Sequence, residues 1–431
     1  MSHDTIFALA SGSGRAAVAV LRLSGPDTAR LVHSIAGRLP PPRHASLCRL
    51  RSMKDETLDQ ALVLWFPAPA SYTGEDAAEL HLHGGPAVIA AISDALVSLG
   101  ARTAEAGEFT RRAFLHGRLD LTEAEGIADL IAAETDGQRR QALAQAGGAL
   151  ARRNADWLGQ CATLLAHQEA AIEFAEDDLP GDLADRAGQG ARALAAELRR
   201  ELAQAHRGER LREGLTIAIL GAPNAGKSSL LNALAEREAA IVSPFAGTTR
   251  DIIEIRVDLG GVPVTLCDTA GLRDVADAIE AEGVRRALAR AEAADLRLVL
   301  FAADAVPDPA SLAQLGADSI PIGTKADLGP CVMPGILALS THTGQGLDAL
   351  RTALTTAVSS RASGAGLLNR PRHRAALTEA VHWLDDAACS HLPELTAEAL
   401  RAALRALGRL AGRVDVEAIL DIVFKDFCIG K

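Results

Sequence analysis

The residues best suited to chemistry lie in a glycine-rich loop in the second half of the chain. Gly221, Gly226, Lys227 and Ser228 fit the pattern GxxxxGK[ST], between an apolar segment and a helix predicted at 229–235. In such a loop, backbone N–H groups and the helix N-terminus surround phosphate oxygens. The lysine ammonium contacts the β and γ oxygens, and the serine hydroxyl binds Mg²⁺. The loop therefore predicts a site for the magnesium complex of a nucleoside triphosphate.

Two further motifs follow the loop in the order that a phosphate-hydrolysing site requires. Asp268 comes directly after an apolar run, where its carboxylate can hold the Mg²⁺ shell, and the N–H of Gly271 can contact the γ-phosphate. Thr248 and Thr249 lie between this motif and the glycine-rich phosphate loop, or P-loop. In this position a switch loop must supply a hydroxyl to the metal. The order of the motifs indicates a nucleotide hydrolase.

A base-recognition motif begins at Thr324 and ends at Asp327. A carboxylate at Asp327 can accept hydrogen bonds from both N1–H and N2–H of guanine, which adenine cannot offer, so we predict GTP. Ser340 and Thr341 follow the next strand, where backbone groups close over the guanine O6. The motif usually begins with asparagine, and Thr324 lacks the side-chain amide that ties this loop to the P-loop. We therefore expect weaker nucleotide affinity.

Hydrolysis needs a group that positions the attacking water, and the glutamine of Ras-like enzymes is missing. Leu272 follows Gly271 and has no polar group for this task. Asn224 offers a carbonyl oxygen near the β/γ bridge, and it either holds a monovalent cation with carbonyls of the 243–248 loop or serves as a turn residue. Acid–base help must come from the second switch, where the residue types do not choose among the acidic side chains. These are Asp274, Asp277, Glu280 and Glu282.

The chain that must position these residues has three successive textures. Residues 1–118 mix short β-like runs with one clear helix and predict a compact α+β domain. A helical texture runs from 119 to 214 and returns at 359–431, so a helical domain is interrupted by the segment 215–358. The capping-box spacing of Thr122 and Glu125 predicts the start of the first helix of this texture.

The interrupting segment alternates apolar strands with helices, which is typical of a mostly parallel sheet in a multidomain α/β protein. Residues 253–259 alternate apolar and charged side chains, and Gly260 and Gly261 then form a two-residue turn into the next strand. This pair predicts one antiparallel hairpin at the edge of the sheet. The other predicted strands are 215–220, 262–267, 296–301, 319–323 and 336–339.

Composition excludes several classes of protein. The formal net charge of −11 argues against a broad nucleic-acid-binding surface, so an RNA contact would use a local patch or a basic partner. No basic segment followed by a long apolar run begins the chain, and no run of about 18 apolar residues exists, which predicts neither a signal peptide nor a membrane span. Six scattered cysteines without metal-ligand spacing predict reduced thiols and a cytoplasmic protein.

At this level of detail the sequence resembles the bacterial tRNA-modification GTPase family MnmE, also called TrmE. The resemblance extends from the nucleotide motifs to both ends of the chain. The matching segments are Asn224–Ser229, Gly247–Asp251, Asp268–Arg273, Ser71–Asp76, His83–Pro86, Gly107–Thr110, Leu119–Leu121 with Glu123–Glu125, and Cys428–Lys431. The resemblance implies an N-terminal domain that binds folate and dimerises, a helical domain, and an inserted Ras-like GTPase domain.

The resemblance also implies roles for particular residues. Potassium would be held by Asn224, Ser243, Phe245 and Thr248, and Mg²⁺ by Ser228 and Thr249. The catalytic candidates are Glu280, Arg250, Lys227 and Cys428. The nucleotide would contact Asn224, Ala225, Gly226, Lys227, Ser228, Ser229, Ser243, Thr248, Thr249, Asp268, Thr269, Ala270, Gly271, Thr324, Lys325 and Asp327. A tetrahydrofolate derivative, in its 5-formyl or 5,10-methylene form, would contact Arg22, Glu79, Arg118 and Lys431. Relatives are expected to have lysine at the position of Arg118.

The family function that follows is a potassium-activated hydrolysis of GTP coupled to tRNA modification. A homodimer would act with the flavoprotein MnmG (GidA) on C5 of the wobble uridine, with the folate as the one-carbon donor. Cys428 would either take part in this chemistry or only position other groups. Two alternative functions remain: that of an RNA-binding ribosome-assembly GTPase, and that of a GTP-dependent switch without a role in modification.

Overall fold

The computed structural model describes residues 4–12, 14–173, 183–237, 254–268, 293–330, 333, 335–362, 364, 366–412, 427 and 430. The chain forms two compact units. The first contains residues 1–128, 145–158 and 404–431, and the second contains residues 129–144 and 159–403. The domain boundaries expected from the sequence stay a prediction.

In chain order the strands are β1 (Ile6–Leu9), β2 (Ala16–Ser24), β3 (Ser46–Arg51), β4 (Thr57–Phe66), β5 (Ala77–Gly84), β6 (Arg102–Thr103), β7 (Leu215–Gly221), β8 (Glu254–Leu259), β9 (Val262–Asp268), β10 (Leu296–Ala302), β11 (Ser319–Thr324) and β12 (Leu337–Ala338). The described helices are α1 (Thr28–Ala36), α2 (Pro86–Ser98), α3 (Glu108–Leu115), α4 (Leu121–Ala132), α5 (Asp136–Ala146), α6 (Ala149–Glu173), α7 (Leu183–Glu213), α8 (Lys227–Arg237), α9 (Pro309–Leu312), α10 (Leu347–Ala362), α11 (Pro371–Cys389) and α12 (Pro393–Leu410).

The first unit contains a six-stranded sheet in the order β3-β4-β5-β2-β1-β6. Its neighbours are antiparallel except β1 and β6, which are parallel. Successive side chains of a strand point to opposite faces. Leu21, Leu23 and Leu80 therefore pack in the core that α1 and α2 cover, whereas Arg22 and Glu79 face the other side. The predicted α+β character of this part of the chain is confirmed.

The second unit contains a sheet in the order β12-β11-β10-β7-β9-β8, parallel except for the edge strand β8. Helices α8 and α10 cover one face of this sheet, where Leu230, Leu231, Leu350 and Leu354 pack in a single core. The predicted edge hairpin is confirmed, and its turn residues Gly260 and Gly261 have φ values of 67° and 89°. The carboxyl ends of β7, β9, β10 and β11 meet at one edge of this sheet, which collects the predicted motifs.

The helical segments before and after this sheet pack together, a point that helical periodicity leaves open. Helix α7 runs along α11, where Arg192 donates to the carbonyl of Ala388 at 2.8 Å and Arg199 pairs with Asp385. Among the described residues, no helix is both long and apolar enough to cross a bilayer.

Helix α4 begins at Leu121, because the capping box lies two positions before the predicted one. The N–H of Glu123 donates to the Asp120 carboxylate, and the N–H of Asp120 donates to the Glu123 carboxylate, both at 2.8 Å. Asp120 and Glu123 are therefore the reciprocal pair. Thr122 lies in the first turn and donates to Asp120 at 2.7 Å. Aspartate is as good an N-cap as threonine, so spacing alone does not separate two overlapping candidates.

Candidate active site

The P-loop connects the end of β7 to the start of α8. Asn224 has a φ of 60°, a left-handed conformation in which asparagine is several-fold enriched. The buried ammonium of Lys227 donates to the carbonyls of Gly221 at 2.9 Å and Ala222 at 2.7 Å. The lysine thus lies within the loop, with its charge directed to the region where a P-loop holds phosphates.

Two oxygen groups suited to Mg²⁺ meet beside the loop. Ser228 Oγ donates to Asp268 Oδ2 at 2.7 Å. Asp268 ends β9, and the parallel register pairs it with Ile219 of β7, just before the P-loop begins. Mg²⁺ prefers hard oxygen ligands and is often held by one or two protein groups in addition to phosphates and waters. The residues present therefore fit this metal, which would neutralise charge on the phosphates.

Thr324 ties the base-recognition loop to the P-loop. Its side chain is buried, and its hydroxyl donates to the carbonyl of Ala225 at 2.7 Å. The sequence-based premise that this tie is missing is wrong, because the short side chain reaches the P-loop from the end of β11. The expected loss of nucleotide affinity stays a prediction. The reason given for it, a missing link between the two loops, no longer holds.

The carboxylate of Asp327, which is predicted to recognise guanine, lies at the surface near Ser340. The hydroxyl of Ser340 donates to Asp327 and holds the pKa of that carboxyl below its ordinary value. The N–H of Ala326 donates to the carbonyl of Leu339 at 3.1 Å, which joins the two loops. Lys325 has a φ of 58° and pairs with Asp304 at 2.7 Å. The site therefore presents an ionised acceptor, as the recognition of guanine N–H groups requires.

Several predicted site residues lie outside the described part of the chain. The nucleotide and metal candidates among them are Ser243, Phe245, Thr248, Thr249, Thr269, Ala270 and Gly271. The catalytic candidates Arg250, Glu280 and Cys428 and the folate candidate Lys431 lie outside it as well. The roles of these residues stay predictions.

A second pocket, of about 310 Å³, lies in the first unit and brings together three of the predicted folate residues, Arg22, Glu79 and Arg118. Arg22 and Glu79 are cross-strand partners on β2 and β5, and their side chains pair at 2.8 Å. The Arg22 guanidinium also lies 5.5 Å from the centre of the Tyr72 ring, a cation–π arrangement. Sequence patterns alone did not bring these residues together, because β2 and β5 are more than fifty residues apart.

The loop that carries Tyr72 is held by hydrogen bonds at both ends of the segment 71–75. Tyr72 shares a hydrogen bond of 2.8 Å with Thr110, and burial raises the pKa of its hydroxyl. Glu75 accepts from Ser24 at 2.7 Å and from Arg112 at 3.1 Å. Arg112 is almost fully buried and also pairs with Asp4 and Glu108, each at 2.9 Å, so Glu75 attaches the loop to a cation that is already held in place. This loop forms one wall of the pocket with its shape fixed.

Sequence reasoning missed two residues of the pocket, Arg43 and Phe66. The Arg43 guanidinium lies 5.7 Å from the centre of the Phe66 ring. Neither residue belongs to a recognisable motif, and a single arginine in a proline-rich turn has no spacing signal. Only its approach to the end of β4 reveals it.

The fold and the site define the class of protein as a P-loop GTPase. A phosphate loop, a magnesium pair and a carboxylate for guanine stand in sequence order at the carboxyl edge of one mostly parallel sheet. Proteins of this class are enzymes that hydrolyse GTP.

The comparisons with known proteins narrow this class to a family. A family model described as the MnmE helical domain matches residues 121–428, and one described as the GTP-binding protein TrmE N-terminus matches residues 5–118. The tRNA modification GTPase MnmE of Granulibacter bethesdensis is 55% identical over 100% of both chains. That of Gluconacetobacter diazotrophicus is 57% identical over 99% of this chain and 98% of its own. The chain belongs to the MnmE family of tRNA modification GTPases.

Among solved structures, the G domain of the T. maritima FeoB iron transporter is 25% identical. It aligns with 33% of this chain and 98% of its own, with a TM-score of 0.26.

Proposed function

We propose that this protein is a potassium-activated GTPase that modifies C5 of the wobble uridine of tRNA with a folate-derived one-carbon unit. The product would be a 5-carboxymethylaminomethyl or aminomethyl uridine, made by a homodimer together with the flavoprotein MnmG (GidA). The names of the relatives, tRNA modification GTPase MnmE, support the tRNA substrate.

The observation that carries the proposal is the second pocket. A GTPase that acts only as a timing switch needs no additional small-molecule site, whereas this chain has one of about 310 Å³. Its Arg22–Glu79 pair combines donors and acceptors, which suits the amino and oxo groups of a pteridine ring. When bound, the folate would supply the one-carbon unit, while Arg22, Glu79 and Arg118 bind and orient it.

Folate binding is the test that separates this proposal from a switch without a modification role. We expect 5-formyltetrahydrofolate to bind in isothermal titration calorimetry and Glu79→Gln to weaken binding by about tenfold, since a charged hydrogen-bonding group is lost. Asp94→Asn, in helix α2 and outside the pocket lining, is the matched control. No binding by the unchanged protein would overturn the folate part of the proposal.

The potassium part rests on Asn224, whose left-handed backbone lies in the P-loop, and on Leu272, which excludes a Ras-like water-positioning glutamine. The other proposed ligands are Ser243, Phe245 and Thr248. We expect the GTPase rate to rise when K⁺ replaces Na⁺ at constant ionic strength and Asn224→Ala to lose most of that rise. An equal rate in both salts would exclude this use of Asn224.

Glu280 is proposed as the acid–base residue of the second switch. Glu280→Ala should abolish turnover and leave GTP binding nearly unchanged, measured by fluorescence of a labelled GTP analogue. Glu282→Ala is the neighbouring control and should retain turnover. Lost nucleotide binding in Glu280→Ala would mean that the residue has a structural role instead.

The tRNA part is tested in cells. Loss of the gene should remove the C5 modification of wobble uridine, detected by mass spectrometry of digested tRNA, and the unchanged gene should restore it. Restoration by Cys428→Ser would assign Cys428 a positioning role rather than a chemical one. An unaltered modification profile in the deletion strain would reject the tRNA substrate.

A further inference from the structure

The second pocket has an uneven distribution of charge. Among the described residues that line it are three arginines, Arg22, Arg43 and Arg118, and one acidic residue, Glu79. Glu79 pairs with Arg22 at 2.8 Å and neutralises the charge of that arginine. Among the residues that the structure describes, neither Arg43 nor Arg118 forms an ion pair with a carboxylate. The described lining therefore carries a surplus of two positive charges, those of Arg43 and Arg118.

Arg43 is held at the pocket by a constrained backbone. Its φ is 60°, a left-handed conformation that costs a residue with a Cβ about 1–2 kcal/mol. The N–H of Arg43 donates to the carbonyl of Trp65 at 2.8 Å, which attaches the turn to the end of β4. Strained residues persist only where the surroundings determine them, and they concentrate at ligand sites. The turn directs the arginine to the pocket at an energetic cost.

The guanidinium of Arg43 is placed by two contacts that leave its charge unneutralised. It lies over the Phe66 ring, and it donates a hydrogen bond to the carbonyl of Ala70. A planar guanidinium can stack on a ring and still offer its remaining N–H groups as a fork to a carboxylate. Arg43 is therefore oriented before any ligand binds.

Arg118 has a fixed backbone and an available head group. Its N–H donates to the carbonyl of Ala113 at 2.8 Å, just after helix α3. Its Cγ lies 3.2 Å from where a Cβ on Gly74 would stand, so Gly74 permits its close approach to the pocket loop. Within the described part of the chain, its guanidinium has no hydrogen-bond or ion-pair partner. A cation held in this way suits an anionic ligand group.

We propose that Arg43 and Arg118 form an anion-binding end of this pocket that holds the carboxylate tail of the ligand. The inference rests on the proposed folate binding and deepens it. The Arg22–Glu79 end suits an uncharged ring with donors and acceptors, and the Arg43–Arg118 end suits carboxylates. A folate has this polarity, with a pteridine at one end and glutamyl carboxylates at the other, and each further glutamate adds negative charge.

The test compares three ligands by titration calorimetry: the carboxamide of 5-formyltetrahydropteroate, which has no carboxylate, 5-formyltetrahydrofolate with one glutamate, and its triglutamate. We expect affinity to rise in that order and the gain from glutamate to shrink as salt is raised, because added salt screens charge. Arg43→Gln should weaken monoglutamate binding about tenfold, weaken triglutamate binding further, and leave binding of the carboxamide within twofold. Glutamine keeps a Cβ at this position, so the backbone cost is unchanged.

Arg51→Gln is the matched control, because Arg51 is an arginine of the same sheet that pairs with Asp55 and lies outside the pocket. Arg118→Gln tests the same end independently if Arg43→Gln does not fold. Equal loss for all three ligands would overturn the proposal and assign Arg43 a structural role, and so would no loss for any. If the unchanged protein binds none of the three ligands, the proposed folate function itself fails.

Discussion

A single hydroxyl determines how the base-recognition loop is attached in this protein. Thr324 replaces an amide, yet its Oγ1 reaches the Ala225 carbonyl at 2.7 Å inside a buried contact. A neutral hydrogen bond of this kind contributes about 0.5–1.5 kcal/mol, and an unpaired buried carbonyl costs more. The residue type suggested that the link between the two loops is lost. The loops lie close enough for the shorter side chain to form it.

The first prediction tests this hydrogen bond with an isosteric pair. Thr324→Val removes the donor with little change of shape and should weaken GTP binding about tenfold, because it leaves the Ala225 carbonyl unpaired. Thr324→Ser keeps the hydroxyl and should stay within about threefold of the unchanged protein. Both affinities are measured with a fluorescent GTP analogue. Equal affinity for the valine and serine variants would show that the bond contributes nothing.

The second prediction concerns the exposed carboxylate of Asp327. The Ser340 hydroxyl lowers its pKa, so the group stays ionised as the pH falls towards its ordinary pKa. Asp327→Asn should reduce GTP affinity by about 100-fold or more, because two charge-assisted hydrogen bonds are lost. The new amide can donate to the C2 oxygen of xanthine, so xanthosine triphosphate should bind in competition assays. Asp318→Asn, on an exposed residue that pairs with Arg361 at 2.5 Å, is the control; retained GTP preference would refute the assignment.

Among the secondary-structure elements, the start of α5 is fastened to the turn between β8 and β9. Thr135 Oγ1 donates to the carbonyl of Gly261 at 2.8 Å, and the N–H of Gly137 donates to the same oxygen at 3.1 Å. Glu134 pairs with Arg256 of β8 at 2.9 Å. Because β9 ends at Asp268, this contact connects a helical segment to the strand that presents the predicted magnesium carboxylate.

The third prediction disrupts that contact. A Cβ on Gly137 would stand 2.2 Å from the Gly261 carbonyl oxygen, so Gly137→Ala should lower the free energy of unfolding by about 1–3 kcal/mol. Weaker magnesium-dependent GTP binding should accompany the loss if the hairpin positions Asp268.

Gly159→Ala is the matched control in α6, where an added Cβ meets nothing within 4 Å. It should be neutral or stabilising by up to about 1 kcal/mol, as measured by thermal and urea unfolding. Equal stability of the two variants would mean that the turn between β8 and β9 moves aside for the added methyl group without a cost in free energy.

A carboxylate also joins the two chain segments that lead into and out of the nucleotide-binding sheet. Asp129 accepts from Arg212 at 3.0 Å, near the end of α7, and from Arg370 at 2.7 Å, just before α11. Asn369 donates to the same carboxylate at 3.2 Å. The segments before and after the sheet are thus bound at one point, which explains how helices separated by the whole insertion can pack together.

For the molecule as a whole, the charge balance limits how it meets RNA. With 44 basic and 55 acidic residues, its formal net charge is −11. Affinity for nucleic acid falls with salt in proportion to the number of phosphates neutralised. An acidic chain has few contacts of this kind to offer over most of its surface, so we expect RNA binding to use a local patch or a basic partner.

The fourth prediction follows from this balance. The protein alone should bind tRNA weakly, with a slope of log affinity against log salt that corresponds to about two phosphate contacts or fewer. Its complex with the proposed flavoprotein should bind more tightly and with a steeper slope. Filter binding over a salt series measures both. Tight, steeply salt-dependent binding by the protein alone would reveal a basic patch that the net charge conceals.

The sequence by itself determined the features that depend on neighbouring residues. The spacing from Gly221 to Ser228 specified the phosphate loop, alternation specified β8, and Gly260 with Gly261 specified the hairpin turn. These signals are readable because hydrogen bonds of turns and the periodicity of strands act over a few positions. Where two local patterns overlapped, as at Asp120 and Thr122, the residue types did not distinguish them.

Only the tertiary structure decided which distant side chains meet. The approach of Thr324 to Ala225, the pairing of Arg22 with Glu79, and the position of Arg43 over Phe66 join segments between about 20 and 100 residues apart. No local pattern encodes these contacts, because strand order and the burial of apolar faces bring the segments together. The nucleotide motif can therefore be predicted from the sequence. The attachment of its loops and the charge of the second pocket depend on the fold.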